Sequence, residues 1–199
     1  MSSRRLSLVL MAVLAMAIPA MAADRQVVAD FDMPPPNNLG GGFGAFSPNP
    51  EEMTYVTVET MDDTVRNGTN GASMKLEYNV DQAGSYNGFW MKLGPQEAGN
   101  NFDASGFTKL SFWVKGDPTV GIPSKVKVEL KGDPGTRIGR SYLNGITDNW
   151  TRMEIPLDTV AAQRVDLTKL NEFVIVFENN VVAPGKKGVI WIDDIAFEP

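Results

Sequence analysis

The 199-residue chain contains neither cysteine nor histidine. Their absence removes disulfides, a thiol nucleophile, a Ser-His-Asp triad, Cys/His zinc sites and the common haem ligations. Any chemistry is left to carboxylates, lysine, tyrosine or a hard metal ion. Long apolar runs are scarce as well, and beyond residues 6–18 nothing approaches a membrane-spanning helix. Basic residues are in deficit, 18 against 24 acidic ones, for a net charge of −6. That balance disfavours nucleic acid and anionic membranes as partners and leaves neutral ligands compatible. Helical periodicity is nearly absent, and only residues 167–171, after the cap-like Asp166, read as a helical turn.

What is present begins with a targeting pattern. Arg4 and Arg5, the apolar stretch 6–18 and Ala20-Met21-Ala22 read as a signal peptide over residues 1–22, cleaved before Ala23. The alternative is an uncleaved N-terminal anchor. With no cysteine after the apolar stretch, a lipoprotein anchor there is excluded. The expectation is a secreted or periplasmic protein, and loss of the two arginines takes its charge from −6 to about −8. Residues 23–199 suit one domain with a sizeable core, and no repeat or low-complexity linker divides them.

These residues alternate short β-rich runs with Gly, Pro, Asn and Asp clusters, which predicts an all-β, two-sheet antiparallel sandwich. Strands are expected at 26–32, 54–59, 72–80, 86–93, 108–115, 125–131, 140–143, 151–156, 172–178 and 188–197. Period-two alternation assigns faces to three of them. Leu110, Phe112 and Val114 turn inward, leaving Ser111, Trp113 and Lys115 outside. Val126, Val128 and Leu130 oppose Lys127, Glu129 and Lys131, and Phe89, Met91 and Leu93 oppose Gly88, Trp90 and Lys92. If the three lie in one sheet, its outer face carries Trp90, Trp113, Lys115, Glu129 and Lys131, an aromatic and charged mixture suited to binding. The other reading is that Trp90 and Trp113 fill part of a two-sided interior beneath a loop.

Several phrases, taken in order, resemble the galactose-binding-like jelly rolls of carbohydrate-binding modules, above all family 11 and the similar complex I intermediate-associated protein 30 domain. They are Asp30-Phe-Asp32, Asn37-Asn-Leu-Gly-Gly41, Leu110-Ser-Phe-Trp-Val-Lys-Gly116, Trp150-Thr-Arg-Met-Glu-Ile-Pro-Leu157, Asp166-Leu-Thr-Lys-Leu170, Phe173-Val-Ile-Val-Phe-Glu178 and Gly188-Val-Ile-Trp-Ile-Asp-Asp-Ile195. The resemblance implies two packed antiparallel sheets, a sugar chain held on the concave face or at loop ends, and in many members a structural calcium ion. It places Asp32 and Asp193 at the acidic positions that supply calcium ligands, with Asp30 or the Asn70-Gly71 turn adding oxygens. The competing reading of Asp193-Asp194 is a β-bulge with hydrogen-bonded carboxylates.

Sugars present apolar C–H faces edged with hydroxyls, so their sites need rings for stacking and planar polar groups for hydrogen bonds. Trp90, Trp113, Tyr86 and Tyr142 are the candidate rings. Lys115, Glu129, Arg140 and Glu178 are the candidate hydrogen-bonding groups. The polar partner expected is a polysaccharide of β-glucan type, bound without catalysis. Another exported protein held on the same sheet, or a small glycosidase or lyase using Glu129 and Glu178 with Glu77 or Glu154, are the alternatives. The glycosidase reading lacks support in spacing, because Glu59-Thr-Met-Asp62 fails the E-x-D-x-x-E pattern of one class of β-sandwich glucanases. Asn37-Asn-Leu-Gly-Gly-Gly-Phe-Gly-Ala-Phe46 is glycine-rich but precedes no predicted helix and lacks the Lys-Ser/Thr of a phosphate loop. It reads as a close-packed loop between the first two strands, with Phe43 and Phe46 closing one end of the sandwich.

Overall fold

The computed structural model describes residues 24–48, 54–132, 137–183 and 185–199; the expected signal segment lies outside them. Eleven strands follow one another: β1 (Gln26–Ala29), β2 (Phe43–Phe46), β3 (Thr57–Asp62), β4 (Ser73–Asn79), β5 (Tyr86–Lys92), β6 (Lys109–Gly116), β7 (Lys125–Lys131), β8 (Ile138–Asn144), β9 (Thr151–Pro156), β10 (Glu172–Glu178) and β11 (Lys187–Glu198). They form two antiparallel sheets. The first runs β3-β4-β11-β6-β9, with β1 added to β11, and the second runs β2-β5-β10-β7-β8. Strand β11 is twelve residues long. It pairs β4 along its first half, β1 along its second, and β6 across both.

The alternation read from the sequence sets the faces. Phe89 and Met91, Val126, Val128 and Leu130, and Leu110, Phe112 and Val114 all point inward and are almost fully buried. Between the sheets, Tyr78 stacks on Phe177 with ring centroids 4.1 Å apart, and Phe112 meets Phe173 edge-on at 5.7 Å. Such ring pairs from opposite sheets fix their spacing and supply much of the buried apolar area.

Several local expectations change. The glycine-rich stretch is not all loop, because residues 43–46 form β2, an edge strand paired with β5. Phe43 packs inward near Phe31 and Phe89, while Phe46 lies on the outer face. Glycine's low strand propensity hid this strand, and pairing with β5 overrides it. A short helix, α1 (Leu157–Ala161), follows β9 and buries Leu157 and Val160; five residues are too few to show a period. The first strand stops at Ala29 because Phe31 adopts a left-handed φ of 54° to put its ring in the core. The helical turn expected near 167 is a 3-10 turn, Leu167–Lys169, capped by the Asp166 side chain on the Thr168 amide.

Candidate ligand-binding face

The outer face of the second sheet is organised in rows across its strands. Gly44 of β2, Trp90 of β5, Val174 of β10, Glu129 of β7 and Arg140 of β8 lie level with one another. To one side runs Lys92, Glu172, Lys131 and Ile138; to the other, Phe46, Gly88, Val176, Lys127 and Tyr142, with Tyr86 and Glu178 beyond. Five strands at ~4.8 Å spacing make this face ~19 Å wide.

Charged side chains tile it as a continuous ladder. The Lys92 ammonium lies 2.6 Å from Glu172, whose other oxygen is 2.9 Å from Lys131. Glu129 is ringed by Lys127 at 3.2 Å, Arg140 at 3.4 Å and Lys131 at 3.8 Å, and Lys127 reaches on to Glu178 at 2.6 Å. Burial pushes the Glu172 carboxyl up, but hydrogen bonds from Lys92 and Lys131 and their charges outweigh it, so its pKa lies below the ordinary glutamate value. Burial works against the Lys127 ammonium, yet Glu178 and Glu129 overcome it and hold its pKa above the usual lysine value. The lysine stems and carboxylates cover Val174 and Val176, which are buried although they face outward. Beside Val174 the tiling opens into a recess of about 310 Å3, lined by Phe46, Trp90, Lys92, Lys131, Glu172 and Val174. Tyr86 and Tyr142, 46% and 53% exposed, stand away from the recess at the margins of the face.

Six of the eight expected sugar contacts, Trp90, Tyr86, Glu129, Arg140, Tyr142 and Glu178, therefore share one face. Trp113 and Lys115 do not. Strand β6 pairs with β11 and β9 in the other sheet, so both project from the opposite side of the sandwich. The inference of a single sheet failed because three strands with the same alternation say which side of a strand is buried, not which strands are neighbours. Neither tryptophan sits in an interior beneath a loop; each belongs to an outward-facing row. Phe46, Lys92, Lys127, Lys131 and Glu172 join the face, and in Glu172 the signal was visible: it starts the alternation that turns Phe173 inward.

A second cluster lies at the β11 bulge, where the register shifts between Asp193 and Ala196 and Asp194 takes a φ of 52°. Asp193 is 3% exposed. Its oxygens accept from the Asn67 and Asp194 amides, and Asp194 accepts from the Asn67 side chain. Burial, with the charges of Asp194 and Asp32 nearby, pushes the Asp193 carboxyl up to about 7. Asp32 approaches from the turn after β1 and accepts from the Ala72 amide. Asp30 is occupied differently, accepting from the Asn38 side chain and the Asp32 amide. Among the described residues, no lysine or arginine pairs with Asp32, Asp193 or Asp194, and no three acidic side chains converge closely enough to hold an ion alone. The β-bulge with hydrogen-bonded carboxylates is thus present, with Asp32 close to it.

The carbohydrate binding domain (family 11) pattern matches residues 15–169. The chain belongs to that family. Membership gives the module a sugar-binding role, and no curated protein matches it in sequence. Among solved structures, it resembles the family 11 carbohydrate-binding module from Clostridium thermocellum in complex with a β-1,3-1,4-mixed-linked tetrasaccharide. That match has a TM-score of 0.60 and 16% identity, covering 89% of this chain and 96% of that one. An exo-β-agarase also aligns with a TM-score of 0.60 at 13% identity, over 87% of this chain and 25% of the enzyme. Caldicellulosiruptor saccharolyticus CBM27-1 in complex with mannohexaose gives 0.53 at 14% identity, over 89% and 98%. At these identities the structures show a shared jelly-roll sandwich.

Proposed function

We propose that the module is exported and holds a neutral, β-glucan-like polysaccharide, without catalysis, on the outer face of the second sheet. The observation that carries this reading is the nearly charge-balanced ladder beside Trp90 and Phe46, four cations interleaved with three carboxylates. Each carboxylate on the face already has at least one cation, so the surface offers no strong field to a charged ligand. It does offer alternating donors and acceptors to hydroxyls, with two rings beside the recess for C–H stacking. The family 11 neighbour bound to a mixed-linkage tetrasaccharide supports the choice of glucan. The Arg4-Arg5 and apolar pattern of the first 22 residues supports export. Among the described residues no helix is long and apolar enough to cross a membrane.

Glu129 and Glu178, the pair a glycosidase would use, are joined through the Lys127 ammonium. In a glycosidase the space between the two carboxyls holds the scissile bond, and here an ammonium fills it. That supports binding without hydrolysis. Calorimetric titration with soluble mixed-linkage glucan, xylan and galactan tests both halves. Saturable binding to the glucan without release of reducing sugar is expected, and silence across the panel would overturn the reading.

We also propose a structural calcium at the bulge. Asp32 and Asp193 would hold it, with oxygens of Asn67 and the Asn70-Gly71 turn completing a hard-oxygen set. The fit rests on a carboxylate that accepts two amides at the β11 bulge, is raised by burial and then by its like-charged neighbours, and has no lysine or arginine paired with it among the described residues. The ion would supply that charge and tie the first strand to the last.

A further inference from the structure

The glycine-rich stretch 37–46 contains glycines of two kinds. Gly40 has a φ of 80°, and a Cβ on Gly41 would lie 2.1 Å from the Lys92 carbonyl oxygen, so the chain path itself requires both. Gly42 and Gly44 are different. Neither adopts a positive φ, and the atoms nearest to a Cβ at either position belong to the Trp90 indole. At Gly44 these are Cζ2 and Nε1 at 3.4 Å and Cε2 at 3.5 Å; at Gly42 they are Cη2 at 3.8 Å and Cζ3 at 4.0 Å. The indole therefore reclines along β2 and the residue before it, its Nε1–Cζ2 edge on Gly44 and its outer benzene edge on Gly42. Gly44 is buried although it faces outward from an edge strand, because Trp90 covers it.

We propose that Gly44, assisted by Gly42, is a positioning residue of the binding face. A bare strand β2 lets Trp90 lean away from Val174, and that lean holds the recess between Trp90, Glu172 and Lys131 open. A side chain at position 44 would push the indole toward β10 and into the space a sugar ring would fill. Gly88, level with Phe46, does not share this role, since its Cβ would strike the Ile175 carbonyl oxygen at 2.0 Å and the backbone demands it. The proposal rests on the carbohydrate-binding reading for its consequence, while the control of the ring by Gly44 stands on geometry alone.

Gly44→Val separates the two. A β-branched residue in an edge strand without positive φ favours the strand, so the melting temperature is expected to hold or rise. Affinity for soluble β-1,3-1,4-glucan is expected to fall about tenfold, the scale of one lost ring contact. Gly44→Ala, adding one methyl near the limit of van der Waals contact, is expected to lose about twofold to threefold and carries the test if the valine variant misfolds. With 5-fluorotryptophan incorporated, the Trp90 resonance, assigned by its loss in Trp90→Phe, is expected to move in Gly44→Val. Replacing Trp90 by Phe in the Gly44→Val background is expected to recover part of the lost affinity, which a purely structural defect would not allow. An unmoved Trp90 resonance, or unchanged glucan affinity, overturns the proposal. If the resonance moves but the unaltered protein binds no glycan, the functional reading falls and the positioning role survives.

Discussion

The two outer faces of the sandwich use the same residue types to different ends. On the second sheet, Trp90 leans over a glycine strand and borders an open recess amid a charge ladder. On the first sheet, Trp191 lies level with Lys75 and Lys115, is 7% exposed, and spends its indole N–H on Asp62 at 2.9 Å. Trp113 sits between Asp193 and Arg152, and Arg152 is itself held by Glu154 and Glu198. Aromatic content therefore does not by itself single out the proposed binding face. Trp191 differs from Trp90 in that its polar edge is already held by the protein, and Trp113 differs in lying level with an acidic residue and an ion-paired arginine.

The largest effect expected from this contrast comes from exchanging tryptophans for alanine on each side. Trp90→Ala should reduce glucan affinity by more than about thirtyfold, while Trp113→Ala should leave it within about twofold, both read by calorimetry. A loss of affinity in Trp113→Ala at unchanged melting temperature would erase the distinction.

Next is calcium. Chelation, or Asp193→Ala, should lower the melting temperature by roughly 5 to 10 °C, since a ligand bound only to the folded state at about 100 times its dissociation constant contributes about 2.7 kcal/mol. Calcium should restore the chelated protein and not the variant. An unchanged melting curve with chelator would remove the ion.

Asp62→Ala takes the acceptor from the nearly buried Trp191 N–H and breaks the turn in which Asp62 receives the Thr64 and Val65 amides. A loss of about 2 kcal/mol in denaturant unfolding is expected, with glucan affinity unchanged. Matched losses of stability and binding would show that the first sheet serves the ligand too.

The smallest effect is a difference in acid response. Burial raises the Asp62 carboxyl, but hydrogen bonds from Thr64, Trp191 and Val65 prevail and bring it to about 2. Glu172 is likewise lowered by its two lysines. A carboxylate with a depressed folded pKa adds stability that is complete above its unfolded value and lost as pH falls through the folded one. Stability should thus decline below about pH 4, the ordinary carboxylate range, and for Asp62 continue to do so down to about 2. Asp62→Asn should flatten the lower part of that curve, and Glu172→Gln should flatten the curve without touching the Asp62 segment.

Much of this was legible in residue order. Phe89-Trp90-Met91 and Phe112-Trp113-Val114 disclose which side of each strand is buried, because strand geometry alternates side chains and only apolar ones leave water cheaply. The acidic positions Asp32 and Asp193 were legible only through resemblance, being more than a hundred residues apart. Strand β2 was hidden because Phe43-Gly-Ala-Phe46 has weak intrinsic preference for a strand and gains it from β5. Trp90 and Trp113 could not be separated by pattern at all, since their strands read alike.

The sequence by itself thus determined composition, excluded thiol and histidine chemistry, and set inward and outward sides strand by strand, all of which are local properties. Tertiary structure decided which strands became neighbours: β5 beside β2 and β10, β6 beside β11 and β9. Strand pairing joins backbone groups across long stretches of chain and depends on packing of the complete core. That is why one tryptophan came to rest on a glycine strand beside an open recess and the other on the far side of the molecule.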